Sequence, residues 1–210
     1  MKKLLLLLFV GTSLHAQNVD TVRIAHKNYT TVFSKSLKYP LLVEWWATKE
    51  KIVCANQLAR TDKFTPDRLL VKDSDLGKDY VGSGLDRGHM SPAADNECSG
   101  PEVLAEAFYF TNMVPQYHSL NAGDWKSVET MTRDLAVKHD SVHVWAGAIG
   151  DAKHIKKLTI PTQNWKVMYV PKTKTWYAYL FSDVDTKPTG IESHITKVEE
   201  IEKLTGFKFK

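Results

Sequence analysis

The segment Gly82-Ser83-Gly84-Leu85-Asp86-Arg87-Gly88-His89-Met90 gathers an acid, a guanidinium and an imidazole with little apolar content, and its glycines permit tight turns and close backbone approach to a ligand. A histidine near its ordinary pKa accepts a proton from water, an arginine grips a phosphate through two parallel hydrogen bonds, and an aspartate orients either one. Those are the parts a phosphodiester hydrolase requires. Taken alone, the same residues also describe a polar turn with a hydrogen-bonded histidine, and this segment does not choose between the two.

Further polar groups follow in Thr111-Asn112-Met113-Val114-Pro115-Gln116 and Leu120-Asn121-Ala122-Gly123-Asp124-Trp125, with Glu129 beyond. Together with Asp86-Arg87-Gly88-His89, in this order and separation, they resemble the DNA/RNA non-specific endonuclease family, whose active site is a ββα-metal finger. The resemblance runs from about Val43 to the C-terminus, where Ile201-Glu202-Lys203-Leu204-Thr205-Gly206 is similar to the family's closing helix. It implies that His89 is the general base and that Asn121 is the direct protein ligand of Mg²⁺, with Mn²⁺ a substitute. Glu129 matches the acid that holds a metal-bound water. Arg87, and Arg60 ahead of Thr61-Asp62, match phosphate contacts, and Asp86 and Asn112 match supporting positions. It also implies DNA and RNA as substrates, cut without strong sequence preference to fragments ending in 5′-phosphate.

Elementary coordination chemistry is compatible with one amide ligand, because Mg²⁺ keeps most of its waters and needs only one or two protein oxygens beside a substrate phosphate. Each residue also has a plainer reading. Asn121 fits a helix cap, Arg60 a surface ion pair, and Glu129 a solvated helix position. A straight helix separates Asn121 from Glu129 by about 12 Å along its axis, so sharing one ion requires a bridging water or a turn around Gly123. His118 reads as a structural or exposed histidine rather than a second ligand. Two other functions remain open: a secreted nucleic-acid-binding protein that kept the fold and lost catalysis, and a phosphodiesterase for small nucleotides. A zinc protease fits poorly, since there is no His-Glu-x-x-His.

Residues 1–16 read as an export signal: Lys2 and Lys3 begin it, Leu4 to Val10 form an apolar run too short to span a bilayer, and Ala16 suits cleavage. No Cys follows the apolar run, so a lipid anchor is not expected, and a periplasmic or secreted protein is. The 28 Lys and Arg exceed the 24 Asp and Glu only slightly, and loss of Lys2 and Lys3 narrows the excess further. Attraction to a polyanion must then come from local clusters such as Lys153, His154, Lys156 and Lys157, which read equally as a solvated loop. Cys54 and Cys98 are the only thiols, and an oxidising compartment makes their pairing possible. Without a Cys-x-x-Cys pair, they argue against a structural zinc site.

No repeat or linker divides the chain, so residues 17–42 read as a lead-in and 43–210 as one domain. Strands are predicted at Tyr29 to Phe33, Leu41 to Ala47, Val142 to Ala148, Lys166 to Val170 and Thr175 to Phe181, the last two joined through Pro171-Lys172-Thr173-Lys174. Ser99 and Glu102 form a capping box ahead of Val103, Leu104 and Ala107, and Asp124 caps a helix through Val128, Met131 and Leu135. A third helix with Ile195, Val198, Ile201 and Leu204 stops near Gly206. The expected class is α+β, an antiparallel central sheet flanked by helices.

Overall fold

Strand-forming residues gather in two stretches, 21–48 and 141–182, and in the computed structural model, which describes residues 20–210, they meet in one antiparallel sheet. The predicted export signal lies outside the described residues. The sheet comprises β1 (Thr21–Ala25), β2 (Tyr29–Ser34), β3 (Tyr39–Thr48), β6 (Ser141–Ile149), β9 (Gln163–Val170) and β10 (Thr175–Ser182), in the order β1-β2-β3-β6-β9-β10. Two small two-stranded sheets stand apart from it: β4 (Asp86–His89) with β5 (Met113–Gln116), and β7 (Lys153–Ile155) with β8 (Leu158–Ile160).

Alternation along the strands fills two layers. Val43, Trp45 and Ala47 point to one face, where they meet Trp125, Val128 and Ala136, together with Met90 and Val114 of the β4–β5 region. Leu42, Trp145, Trp165 and Val167 point to the other, against Val198, Ile201 and Phe209. The helix on the first face, α6 (Lys126–His139), buries Val128, Thr132 and Ala136 at a four-residue spacing. The helix on the second, α7 (Val198–Thr205), ends at Gly206 in the left-handed conformation, as the sequence predicts. Short helices complete the fold: α1 (Lys49–Ile52), α2 (Val71–Ser74), α3 (Gly77–Tyr80), α4 (Pro101–Glu106) and α5 (His118–Leu120).

All five predicted strands are present, and the 170–175 connection closes a hairpin in register. Three helix signals resolve differently. The Ser99 and Glu102 capping box does not form: α4 begins at Pro101 with Gly100 as its cap at φ 98°, and Ser99 Oγ instead accepts from Asn28 Nδ2 at 3.0 Å. Asp124 is no cap, because the helical path runs through it from α5 into α6. Ile195 lies outside α7, exposed, in an isolated bridge with Tyr179. Strands β1 and β2 lie within the lead-in segment and pair into the central sheet, and β3 runs across Val43. The basic run at Lys153 forms β7 and its turn rather than an open loop, with Lys156 Nζ donating to the carbonyls of Lys78 and Val81.

Cys54 and Cys98 are joined, with Cα atoms 5.9 Å apart. The bond ties the irregular segment after α1, which carries Arg60, to the stretch that follows His89. Two backbone bonds run beside it, Cys98 N to Lys51 O at 3.2 Å and Leu58 N to Glu97 O at 3.0 Å. The bond closes a separation of 44 residues. Its reduction should lower unfolding stability by about 3 to 4 kcal/mol through the freedom returned to the unfolded chain. Urea unfolding with and without reductant measures this, and an unmoved transition would show that the crosslink restrains little.

Candidate active site

The segment singled out by its chemistry forms β4, paired with β5 in the register Asp86↔Gln116, Arg87↔Pro115, Gly88↔Val114 and His89↔Met113. Gly88 is required there: a Cβ would lie 1.9 Å from Gln116 Oε1, which fills the space over the strand. The chain leaves β5 directly into α5 and then, through the distorted helical turn Asn121–Trp125, into α6. Two short strands and a helix thus carry Asp86, Arg87, His89, Asn121 and Glu129.

His89 is 7% exposed and packed between the rings of Phe64 and Phe108, at centroid distances of 5.6 and 5.4 Å. Its Nε2 has no hydrogen-bond partner among the described residues, while its carbonyl accepts from Trp125 Nε1 at 3.1 Å. Burial pushes its pKa down to about 3, the nearby Arg60 charge presses the same way, and Asp62 and the Arg87 backbone oppose them. The imidazole is therefore neutral across the neutral range.

Asp86 Oδ2 accepts two hydrogen bonds, from Asn121 Nδ2 at 2.9 Å and from His118 Nδ1 at 2.8 Å. Because the amide nitrogen is held, Asn121 Oδ1 is the end left for another partner. His118 is exposed, and its Nδ1 is taken by Asp86. Among the described residues no group of three or more His, Cys, Asp and Glu could hold a metal ion, so a cation here would rest on amide and water oxygens. That donor set suits Mg²⁺, a hard ion content with few protein ligands.

Gly123, at φ −100° and ψ −113°, departs from helical geometry between Asn121 and Glu129, so the straight-helix separation no longer applies. Half-buried Glu129 makes no hydrogen bond to Asn121 among the described residues. Burial pushes its carboxyl up to about 7, Asp95 adds to this, and Lys166 and Arg133 pull it back. Arg87 lies between two aromatic rings, its Cζ 5.0 Å from the centroids of both Phe64 and Tyr80. Arg60 pairs with Asp62 at 2.5 Å, and its Cζ stands 5.6 Å from the Phe108 ring that also packs on His89. The ion pair and a place on the wall of the site hold together. Asn112 is fully buried and braces the chain after His89: Oδ1 accepts from Ser91 N at 2.9 Å, and Nδ2 donates to the carbonyls of Ser91 and Ala107.

Three charged residues near Glu129 escaped the sequence reading. Lys166 is fully buried, its Nζ 4.2 Å from the Trp125 ring centroid and 5.8 Å from that of Trp45. Asp95 accepts from Trp45 Nε1 at 2.9 Å and lies 3.6 Å from Arg133. A signal existed for the lysine, since alternation in Trp165-Lys166-Val167-Met168 places it on the same face as Met168, which is in the core.

The chain matches the family model described as DNA/RNA non-specific endonuclease over residues 12–210. Mitochondrial nuclease EXOG of Xenopus laevis is 32% identical over 168 residues, covering 70% of this chain and 47% of that protein. The nuclease of Serratia marcescens is 30% identical over 207 residues, 91% of this chain and 74% of that one. The chain spans about half the length of the EXOG proteins it matches. A crystal structure of the EndoG/EndoGI complex superposes with a TM-score of 0.79 at 23% identity, covering 89% of this chain and 84% of that one, a likeness of fold.

The burial of neutral His89 has a consequence in acid. Its folded pKa, about 3, lies below the ordinary 6.5, so between those values the unfolded chain holds a proton that the folded chain does not. Stability should therefore fall as pH drops through that window. His89→Asn removes this contribution and should show a smaller loss of urea stability between pH 7 and pH 4 than the wild type. Equal losses in the two proteins would mean that His89 protonates freely in the folded state.

Proposed function

The chain belongs to the DNA/RNA non-specific endonuclease family, and from that premise we propose that it is an exported, Mg²⁺-dependent endonuclease that hydrolyses DNA and RNA with little regard for sequence and leaves 5′-phosphate ends. The observation that carries the reading is the Asp86 carboxylate, which turns the Asn121 amide on a ββα unit that also bears a buried, neutral His89.

In this reading His89 Nε2 takes the proton from the attacking water, and its aromatic surroundings keep it neutral and fixed. Arg87 and Arg60 hold the phosphate and offset charge that grows on it. Asn121 Oδ1, and Glu129 through water, would hold Mg²⁺ or Mn²⁺, which supplies charge neutralisation at the phosphate and the leaving oxygen when bound. Asp86 orients Asn121, and Asn112 holds the backbone after His89. Every group named addresses a phosphate, a water or a cation, and none reads a base edge, which supports cleavage indifferent to sequence. Export rests on Lys2, Lys3, the run Leu4 to Val10 and Ala16. Some relatives carry mitochondrial names, so the periplasmic or secreted destination comes from this chain's own N-terminus.

Purified protein incubated with plasmid DNA, single-stranded RNA and double-stranded RNA tests the reading directly. Cleavage of all three with Mg²⁺ and none with chelator is expected, with fragment ends spread over many sequences. His89→Ala should lower turnover by about 10² to 10⁴ while leaving nucleic-acid affinity nearly intact. Wild-type turnover in that variant would refute the base, and chelator-resistant cleavage would refute the metal. Cleavage confined to one short motif would overturn the non-specific assignment alone.

A further inference from the structure

Asp124 lies three residues beyond Asn121, and its carboxylate reaches a remote part of the chain. Oδ2 accepts from the backbone N–H of Thr189 at 2.9 Å and from His194 Nε2 at 3.0 Å, and Oδ1 accepts from the backbone N–H of Gly190 at 3.2 Å. The stretch it grips, residues 183–190, follows β10 and has no regular secondary structure; residues 184–189 are exposed. Such a stretch is held only by what it touches.

Those contacts fall on both sides of Asn121. Ahead of it, Asp183 Oδ1 accepts from Tyr117 N at 3.2 Å, and Ser119 Oγ donates to Asp185 at 3.1 Å. Beyond it, Pro188 packs against Gly123, where a Cβ would come within 2.5 Å of Pro188 Cγ. Gly123 is the residue whose backbone leaves helical geometry. The kink and the strap therefore fill one another's space, and Asp124 closes the join.

We propose that residues 183–190 act as a strap, latched by Asp124, which fixes the kink at Gly123 and so aims the Asn121 carbonyl; Asp124 is a positioning residue for the cation site. The proposal rests on the functional reading above, because it gives Asn121 its metal-ligating role. Groups that orient a ligand without touching the metal commonly alter affinity as strongly as a weak ligand does. Asp124→Ala leaves the backbone N–H groups of Thr189 and Gly190 without their acceptor and His194 without its carboxylate partner, and the kink loses its lock.

Mn²⁺ binding to nucleic-acid-free protein, followed by electron paramagnetic resonance, tests this without any cleavage assay. Asp124→Ala should weaken Mn²⁺ binding by about 10- to 100-fold, while Asn121→Ala abolishes it. A latch that served stability alone would lower the melting temperature and leave the affinity of the folded protein unchanged. Wild-type affinity in Asp124→Ala with binding lost in Asn121→Ala overturns the latch and spares the functional reading. Wild-type affinity in Asn121→Ala overturns the metal reading, and the latch with it. Should Asp124→Ala fail to fold, the paired Ser119→Ala and Asp185→Ala variant, which loosens the strap from its exposed side, is expected to bind Mn²⁺ more weakly. Unchanged affinity there overturns the strap.

Discussion

Asp86 Oδ2 receives Asn121 Nδ2 and His118 Nδ1 within 2.9 Å, which joins β4 to the helical stretch that follows β5. The geometry of the site depends on that join. An asparagine side chain turns freely about χ2, and its oxygen and nitrogen ends are alike in size, so an unheld amide presents either one. A carboxylate accepts only, so it selects the nitrogen and leaves the oxygen outward. A second donor from His118 on the same oxygen fixes the carboxylate in turn. In the proposed function this one contact decides whether the site offers a cation a donor or an acceptor.

The surrounding core shifts ionisable groups away from their ordinary behaviour. His89 gives up its proton because Phe64 and Phe108 replace its water and Arg60 opposes a second positive charge. Glu129 is pushed the other way by burial and Asp95, and Lys166 and Arg133 restrain it. Burying the Lys166 ammonium is costly in isolation, and it is tolerated here beside Glu129 and Asp95 and over the Trp125 ring. Trp125 links the two halves, since its Nε1 donates to the His89 carbonyl while its ring lies under the lysine. His89 and Glu129 are thus shifted in opposite directions by one packed layer between the β4–β5 pair, the helix and the central sheet.

Asp86, Arg87, His89 and Asn121 stood out in the sequence because polar side chains of distinct chemistry fall in short motifs, and the structure brings all four onto one ββα unit. Strands such as Leu41 to Ala47 and Thr175 to Phe181 were legible from short, nearly continuous apolar and aromatic runs, which a sheet covered on both faces requires. Strand β1 was not, because this five-residue edge strand turns only Val22 and Ile24 inward, between exposed Thr21, Arg23 and Ala25, which is too short a pattern to stand out. Local helix signals failed where a distant partner competed for the same atoms. Ser99 was drawn to Asn28, and Asp124 to Thr189, Gly190 and His194.

Asp124 shows why such competition escapes a reading of local sequence. As an acid ahead of an apolar-periodic run it has the composition of a cap, and a cap satisfies the N–H groups that follow it. Here α5 precedes it and it lies within the distorted turn, so the helical path is already under way and the carboxylate is free to bind elsewhere. What recruits it lies 65 and 66 residues away. Two of its three partners, Thr189 and Gly190, offer backbone N–H donors on an irregular stretch, a type of partner that leaves no mark in residue identity, because every non-proline residue carries one. Functional groups that act by contacting a substrate are constrained one position at a time. Groups that act by holding those positions are constrained only in pairs, and a pair whose second member is backbone is invisible until the chain is folded.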